Sequence, residues 1–220
     1  TYAYPFEPLT RVPTKLAASA ISHEQLSAAH VASRRPAFLS RYGLTPAERG
    51  TALHTFMQFS DYAAAADNVQ QEIGRLVARQ FLTEQQGDSL PVGKIRAFFS
   101  SSLYTRMQSA ARCLREYHFT IDIPAEKLTE WEPDAFSNID DSEAKVIIQG
   151  IADCVFEEDG QLVIVDYKTD QVKTGKELVE RYHGQLQIYA YAISRTLGLP
   201  VKECLLYSFS LSLSLIHISE

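Results

Sequence analysis

Two aspartates and a lysine carry the strongest chemical suggestion in this sequence. Gly150-Ile151-Ala152-Asp153 is followed, across a Glu158-Asp159-Gly160 turn signal, by Val163-Ile164-Val165-Asp166-Tyr167-Lys168-Thr169. Residues two apart on a strand share a face, so Asp166 and Lys168 project together. An Asp-Gly turn closes a hairpin, which sets Asp153 beside Asp166. Two carboxylates held together without enough counter-charge are costly. A divalent cation resolves that cost, and hard oxygen ligands suit Mg²⁺ or Mn²⁺. The plainer alternative is a surface ion pair at a strand end, worth under ~1 kcal/mol. Context weighs against it: Leu162–Val165 reads LVIV, a run fit for a strand buried on both faces. Charges where such a strand emerges lie where open α/β sheets build their sites.

The elements that must position these residues are legible in outline. Residues 1–40 contain Pro5, Pro8, Pro13 and Pro36 and read as a connector with one short helix around Ser22–Ser33. Thr45 is a good N-cap, Pro46 suits the first helical position and Glu48 supplies an acid at N3, so a helix runs from there to about Ser60. The spacing predicts a second helix over Asp67–Phe81, a short one opening at Thr83, and helical stretches over Val92–Leu103 and Tyr104–Arg115. Tyr117–Ile123 then reads as a strand closed by Pro124, and 125–143 as an acidic loop. Lys145–Glu157, interrupted by Gly150, and Leu162–Asp166 form the hairpin. Lys176–Leu197 has apolar residues at threes and fours and ends at Gly198 with Pro200 just after. Cys204–Phe209 is a last strand. This order predicts an α/β domain over 41–212, a small mixed central sheet flanked by helices, with a helical N-terminal part.

Composition narrows the function. The chain has 220 residues, 45% hydrophobic and 22% charged, which suits one folded domain with no need of a staple. No apolar run approaches the ~20 residues of a membrane span, so no membrane partner is expected. A net charge of −6 argues against a protein that holds nucleic acid by bulk positive charge alone. Cys113, Cys154 and Cys204 form no CxxC pair; a zinc site, a disulfide framework or an iron–sulfur cluster is not expected, and a reducing, cytoplasmic setting is. There is no P-loop pattern, hence no ATPase motor in this stretch. Residue 1 is Thr, which reads as a chain starting mid-protein. Leu213–Glu220, LSLIHISE, matches one frame of a transposon-end adapter used in DNA library preparation and is read as that rather than as native chain.

GIADCVFEEDGQLVIVDYKTD (150–170), followed by RYHGQLQIYAYAI (181–193), resembles the RecB-like branch of the PD-(D/E)XK nuclease superfamily. More narrowly, it is similar to the carboxy-terminal nuclease domain of AddA-type bacterial helicase–nuclease subunits. Arg49-Gly50-Thr51-Ala52-Leu53-His54 is similar to the family's upstream helix, whose metal-binding histidine falls at His54; imidazole is a common ligand. Without the resemblance, a lone helical His would be a polar surface or core residue. Arg115-Glu116-Tyr117-His118-Phe119 resembles the strand before the hairpin, where Glu116 either faces the site or only braces it. Tyr4–Leu16 resembles the joint to a helicase, though Ala17-Ala18-Ser19 departs from the pattern. The resemblance covers about residues 1–210, its specific parts being the hairpin motif and the helix after it.

The resemblance implies a restriction-endonuclease-like fold and a Mg²⁺-dependent deoxyribonuclease, with Mn²⁺ as an alternative. Its metal would be held by His54, Asp153, Asp166 and the Tyr167 carbonyl. Lys168 would orient water or neutralise charge growing on the phosphate. Gln185 and Tyr189, four apart and so on one helix face, would stand beside the site; otherwise they are a solvated Gln and a core Tyr. Tyr182 and Tyr191 read as packing or surface. The implied partners are DNA, an upstream helicase region of the same parent chain and an AddB-type partner protein, in double-strand-break repair by recombination. Two other readings stay open: a catalytically inactive scaffold for DNA binding or assembly, and a free-standing RecB-like exonuclease.

Overall fold

The computed structural model describes residues 15–18, 43–133 and 145–219. Strand β1 is Lys15–Ala17. Six helices follow: α1 (Pro46–Phe59), α2 (Tyr62–Asp67), α3 (Val69–Ala78), α4 (Glu84–Ser89), α5 (Val92–Phe99) and α6 (Ser102–Ser109). Then come β2 (Arg112–Pro124), α7 (Ala125–Trp131), β3 (Lys145–Glu158), β4 (Gln161–Lys168), α8 (Gly175–Leu197), β5 (Val201–Ser208) and β6 (Leu213–Ser219). The expected short helix around Ser22–Ser33 and the 134–144 part of the expected loop lie outside the described residues. No described helix is long and apolar enough to cross a membrane.

The six strands form one mixed sheet in the order β1-β3-β4-β5-β6, with β2 also on β3. β1 and β4 run parallel to β3 and β5 respectively, and the other pairings are antiparallel. β2 accompanies β3 from Arg112↔Glu157 to Pro124↔Lys145, filling one edge. β1, at Lys15↔Ile147 to Ala17↔Gln149, and β4, at Cys154↔Val165 to Glu158↔Gln161, therefore share the other edge. Asp159 (φ 54°) and Gly160 (φ 74°) make the hairpin turn; two positive φ values are what a tight hairpin of this twist requires.

Helices cover both faces. On one, α1 to α6 pack Phe56, Leu76, Ile95 and Phe98 against Phe156, Val163, Tyr167 and Tyr207 of the sheet. On the other, α8 and α7 bury Leu186, Ile188, Ile193 and Leu128 against Ile148, Val155, Ile164 and Leu206. The expected architecture, an α/β domain with a small mixed sheet flanked by helices, is the one found.

Several boundaries differ from the sequence expectation. Helix α1 starts where its signals put it, with Thr45 and Glu48 closing a full capping box. The expected helix over Tyr104–Arg115 stops at Ser109, because Arg112, Cys113 and Leu114 pair with Glu157, Phe156 and Val155 instead. Val92–Leu103 breaks at Ser100-Ser101, where the Ser101 hydroxyl accepts from Tyr104 N and caps α6. Asn68 likewise divides α2 from α3. The start of the expected 125–143 loop is helix α7, held by buried Leu128. Gly150 does not interrupt β3; a Cβ there would lie 2.3 Å from the Phe119 ring, so the glycine gives that ring room. Cys113 and Cys154, far apart in sequence, are free thiols with sulfurs 3.6 Å apart.

Two measurements check this packing. Phe98 is fully buried and meets Tyr167 and Tyr207 edge-on at 5.7 and 5.0 Å; Phe98→Ala is expected to cost about 3–5 kcal/mol in urea unfolding. Arg106 bonds Glu158 at 2.8 and 2.7 Å and also pairs with Glu203, while Lys202 reaches Glu158 at 2.8 Å. The Arg106 bonds, then Lys202, hold the Glu158 carboxyl down at about 2 from its usual 4.5. A depressed carboxyl stabilises fully above its unfolded value and loses that contribution as it protonates. Stability should therefore fall as pH drops from 4.5 towards 2, and Glu158→Gln should flatten that limb of the profile.

Candidate metal centre

The hairpin ladder ends one residue before the acids. β3 and β4 pair from Glu158↔Gln161 only as far as Cys154↔Val165. Beyond that point β4 stays with β5 through Lys168↔Ser208, and β3 stays with β2. The strands fork at Asp153 and Asp166, and side chains take over the missing ladder bonds. Asp153 Oδ2 accepts from Tyr167 N at 2.7 Å, and the Tyr189 hydroxyl donates to Ile151 O at 2.9 Å. β2 is interrupted at the same level: the register runs Arg115↔Cys154, then Tyr117↔Ala152, omitting Glu116 and Asp153. Glu116 has φ 52°, a conformation costing a non-glycine residue about 1–3 kcal/mol. Both strands exchange faces here. Cys154 and Phe156 point to the α1–α6 side, whereas Ala152 and Val155 point to the α8 side.

Helix α1 supplies the imidazole. His54 Nδ1 lies 3.1 Å from Asp153 Oδ1, which accepts from it. Gly50, one turn earlier, lets α1 approach the end of β4, since a Cβ there would lie 3.0 Å from Thr169 Oγ1. His54, Glu116 and Asp153 each offer a ligand atom, all within 4.8 Å of one another. Burial works against protonation of His54, but the Asp153 hydrogen bond and the Asp153 and Asp166 charges outweigh it and raise its pKa. The Glu116 carboxyl is raised by burial and by the Asp153 charge. Crowding around Asp153 thus raises the pKa of both Glu116 and His54, a condition a divalent cation among them would relieve.

Asp166 and Lys168 lie on the α8 side of the fork. Asp166 is 4% exposed, and its Oδ2 is 2.7 Å from Lys168 Nζ. That contact is a buried, charge-assisted pair, and the Lys168 ammonium is the partner Oδ2 faces. Burial raises the Asp166 pKa, Lys168 opposes the rise, and Asp153 adds to it. The Lys168 ammonium, although buried, is kept protonated chiefly by Asp166, its pKa raised overall. It sits 3.7 Å over the Tyr182 ring and donates to Gln185 Oε1 at 3.4 Å. Gln185 Nε2 donates to the Tyr189 hydroxyl at 2.7 Å, so one chain of contacts runs from Asp166 through Lys168, Gln185 and Tyr189 to the backbone of β3.

All the expected residues lie at this fork, in two adjoining groups. His54 and Asp153 are in contact; Asp166, Lys168, Gln185 and Tyr189 form the second group. Tyr167 bridges them with its backbone. Its side chain is buried on the α1 side, with its hydroxyl 3.3 Å from that of Tyr62. Lys168 O accepts from Phe209 N, so the peptide groups of Tyr167 face the opposite edge, and its carbonyl looks into the fork with the N–H.

Glu116, left between facing and bracing by the sequence, faces the cluster. Tyr182, read as packing or surface, covers the Lys168 ammonium and donates its hydroxyl to Asp170 at 3.1 Å. Its spacing of three from Gln185 and seven from Tyr189 was the available signal. A nitrogen donor on a helix and carboxylate oxygens on neighbouring strands, three of these groups within 4.8 Å of one another, fit a hard divalent cation.

Comparison with known proteins identifies the family. The sequence profile of the PD-(D/E)XK nuclease superfamily matches residues 22–214. The chain is 34% identical over 223 residues to the A subunit of an ATP-dependent helicase/nuclease of Clostridium botulinum, covering 96% of this chain and 17% of that protein. It is 37% identical over 180 residues to the protein of that name from Clostridium kluyveri, covering 80% and 14%. It is 36% identical over 186 residues to that of Geobacillus thermodenitrificans, again covering 80% and 14%. The chain thus spans under a fifth of the length of these relatives.

The Tyr189 hydroxyl supplies a direct test of the fork. Tyr189→Phe leaves buried Gln185 Nε2 and the partly covered Ile151 O without their Tyr189 partner. A loss of about 1–3 kcal/mol is expected in urea unfolding; unchanged stability would show that the hydroxyl bridges nothing.

Proposed function

This chain belongs to the PD-(D/E)XK nuclease superfamily, and from that membership we propose that it is a metal-dependent nuclease domain cutting single DNA strands. The observation that carries the reading is the fork itself, where His54, Glu116 and Asp153 converge beside the Asp166–Lys168 pair. A structural role alone has no use for acids gathered at the cost of raised pKa values.

The cation would be held by His54, Asp153 and Asp166, with Glu116 and the Tyr167 carbonyl as further oxygens. When bound, such an ion polarises a phosphoryl oxygen and makes a bound water more acidic. The chain's own residues do the rest. Lys168, kept protonated by Asp166, offers positive charge to the phosphate as negative charge grows on it. Gln185 holds the ammonium from one side and the Tyr182 ring from another, which restricts the lysine to one direction. Tyr189 ties that helix face to β3 at Ile151, so acid and ammonium stay in register across the fork.

The relatives' name joins helicase and nuclease in one protein. That supports a place for this domain after a helicase region of the same parent chain, beside an AddB-type partner protein. In that setting it would act as a Mg²⁺-dependent exonuclease, Mn²⁺ substituting, in cytoplasmic repair of double-strand breaks by recombination. Delivery by a motor also accounts for a net charge of −6 in a domain that takes a polyanion.

The test is cleavage of a labelled single strand with Mg²⁺, beside Asp166→Ala and Asp153→Asn. Metal-dependent cutting that each substitution lowers by roughly 10²–10³-fold or more is expected. A folded chain that neither cuts DNA nor binds Mg²⁺ would overturn the reading and leave a scaffold.

A further inference from the structure

We propose that a cavity beside the metal centre seats a phosphodiester group of the DNA strand next to the one being cut, with Arg49 and Lys94 as its cations. The proposal rests on the nuclease reading above. The cavity, about 570 Å³, lies between the start of α1, helix α5 and the ends of β4 and β5. That is within the ~300–1,000 Å³ of ordinary ligand sites. Gly50 and Thr169 are in its wall. His54 follows Gly50 by one helical turn, ~5.4 Å, and Thr169 follows Lys168 directly, so a strand leaving the metal centre along α1 enters this hollow.

Its charges suit a phosphate. Arg49 is exposed and has no ion-pair or hydrogen-bond partner for its guanidinium among the described residues. Among the described residues, Lys94 Nζ donates only to the Ser210 carbonyl, at 3.3 Å. Among the described residues Asp170 is the one acid in the wall, and its Oδ1 already accepts from Arg181 at 3.2 Å and from Tyr182 at 3.1 Å. At the start of α1 the capping box already engages two backbone N–H groups: Glu48 accepts from Thr45 N at 2.6 Å and Thr45 Oγ1 from Glu48 N at 3.2 Å. The positive charge for an anion comes from the two side chains. A guanidinium forks onto two phosphate oxygens, and an ammonium adds a point charge. In a chain of net charge −6, two cations facing one hollow are a local exception that a polyanion would find.

The experiment is the salt dependence of single-strand binding, by fluorescence anisotropy with Ca²⁺ in place of Mg²⁺. Removing one cation from a phosphate of a single strand lowers the log–log slope by about 0.7. Arg49→Gln is expected to lower it by about that amount, Arg49→Gln with Lys94→Gln by about twice as much, and Arg49→Lys to keep most of it. Both side chains reach the surface, and an unchanged thermal midpoint serves as the folding control. An unchanged slope in the double variant, with the parent chain still cutting DNA, overturns the cavity and leaves the nuclease standing. A parent chain that neither binds nor cuts DNA overturns both.

Discussion

Where β3 and β4 separate after Cys154 and Val165, the sheet loses backbone partners that a continuous ladder would have supplied. Buried peptide groups must be satisfied by something. Here the Asp153 carboxylate takes Tyr167 N–H, and the Tyr189 hydroxyl serves Ile151 O. The remainder of the site hangs on this divergence. It places the two aspartates on either side of a gap rather than as cross-strand neighbours, and lets α1 bring an imidazole to one side and α8 bring Gln185 and Tyr189 to the other.

The fork also organises charge. A carboxylate pressed between strands and helix, as Asp166 is, prefers to be neutral, and burial is the main cause of its raised pKa. Lys168 counters that, and the Tyr182 ring face and Gln185 hold the lysine in turn. On the α1 side, His54 and Glu116 both have raised pKa values with Asp153 among the causes. A low-dielectric site with competing acids and one committed cation amplifies any further charge brought to it. The strained backbone at Glu116 (φ 52°) belongs to the same arrangement, because a regular ladder there would turn its carboxylate elsewhere.

Rigid surroundings keep these groups in place. The Phe98 cluster fixes Tyr167 from one face, and the long α8 fixes β4 and β5 from the other. The Arg106–Glu158–Lys202 contacts lock the hairpin end distant from the fork. The gap is therefore open only where side chains replace the ladder.

Much of this was legible in the chain itself. Capping chemistry at Thr45, the buried run LVIV, the Asp-Gly turn and the αL glycine closing α8 are local, and each depends on neighbours two to four residues apart. The same locality misled at Arg112–Arg115, where helical composition yielded to pairing with β3. It misled again at Ala125–Trp131, where an acidic stretch holds a helix because Leu128 is buried. By itself the sequence determined that Asp166 and Lys168 share a face and that Gln185 and Tyr189 share another, since strand and helix periods decide those relations. Only the tertiary structure decided that Glu116 turns into the cluster, that Tyr182 covers the lysine, and that His54 meets Asp153 across 99 residues of chain. Contacts of that separation are set by how helices pack on a forked sheet, and no local period encodes them.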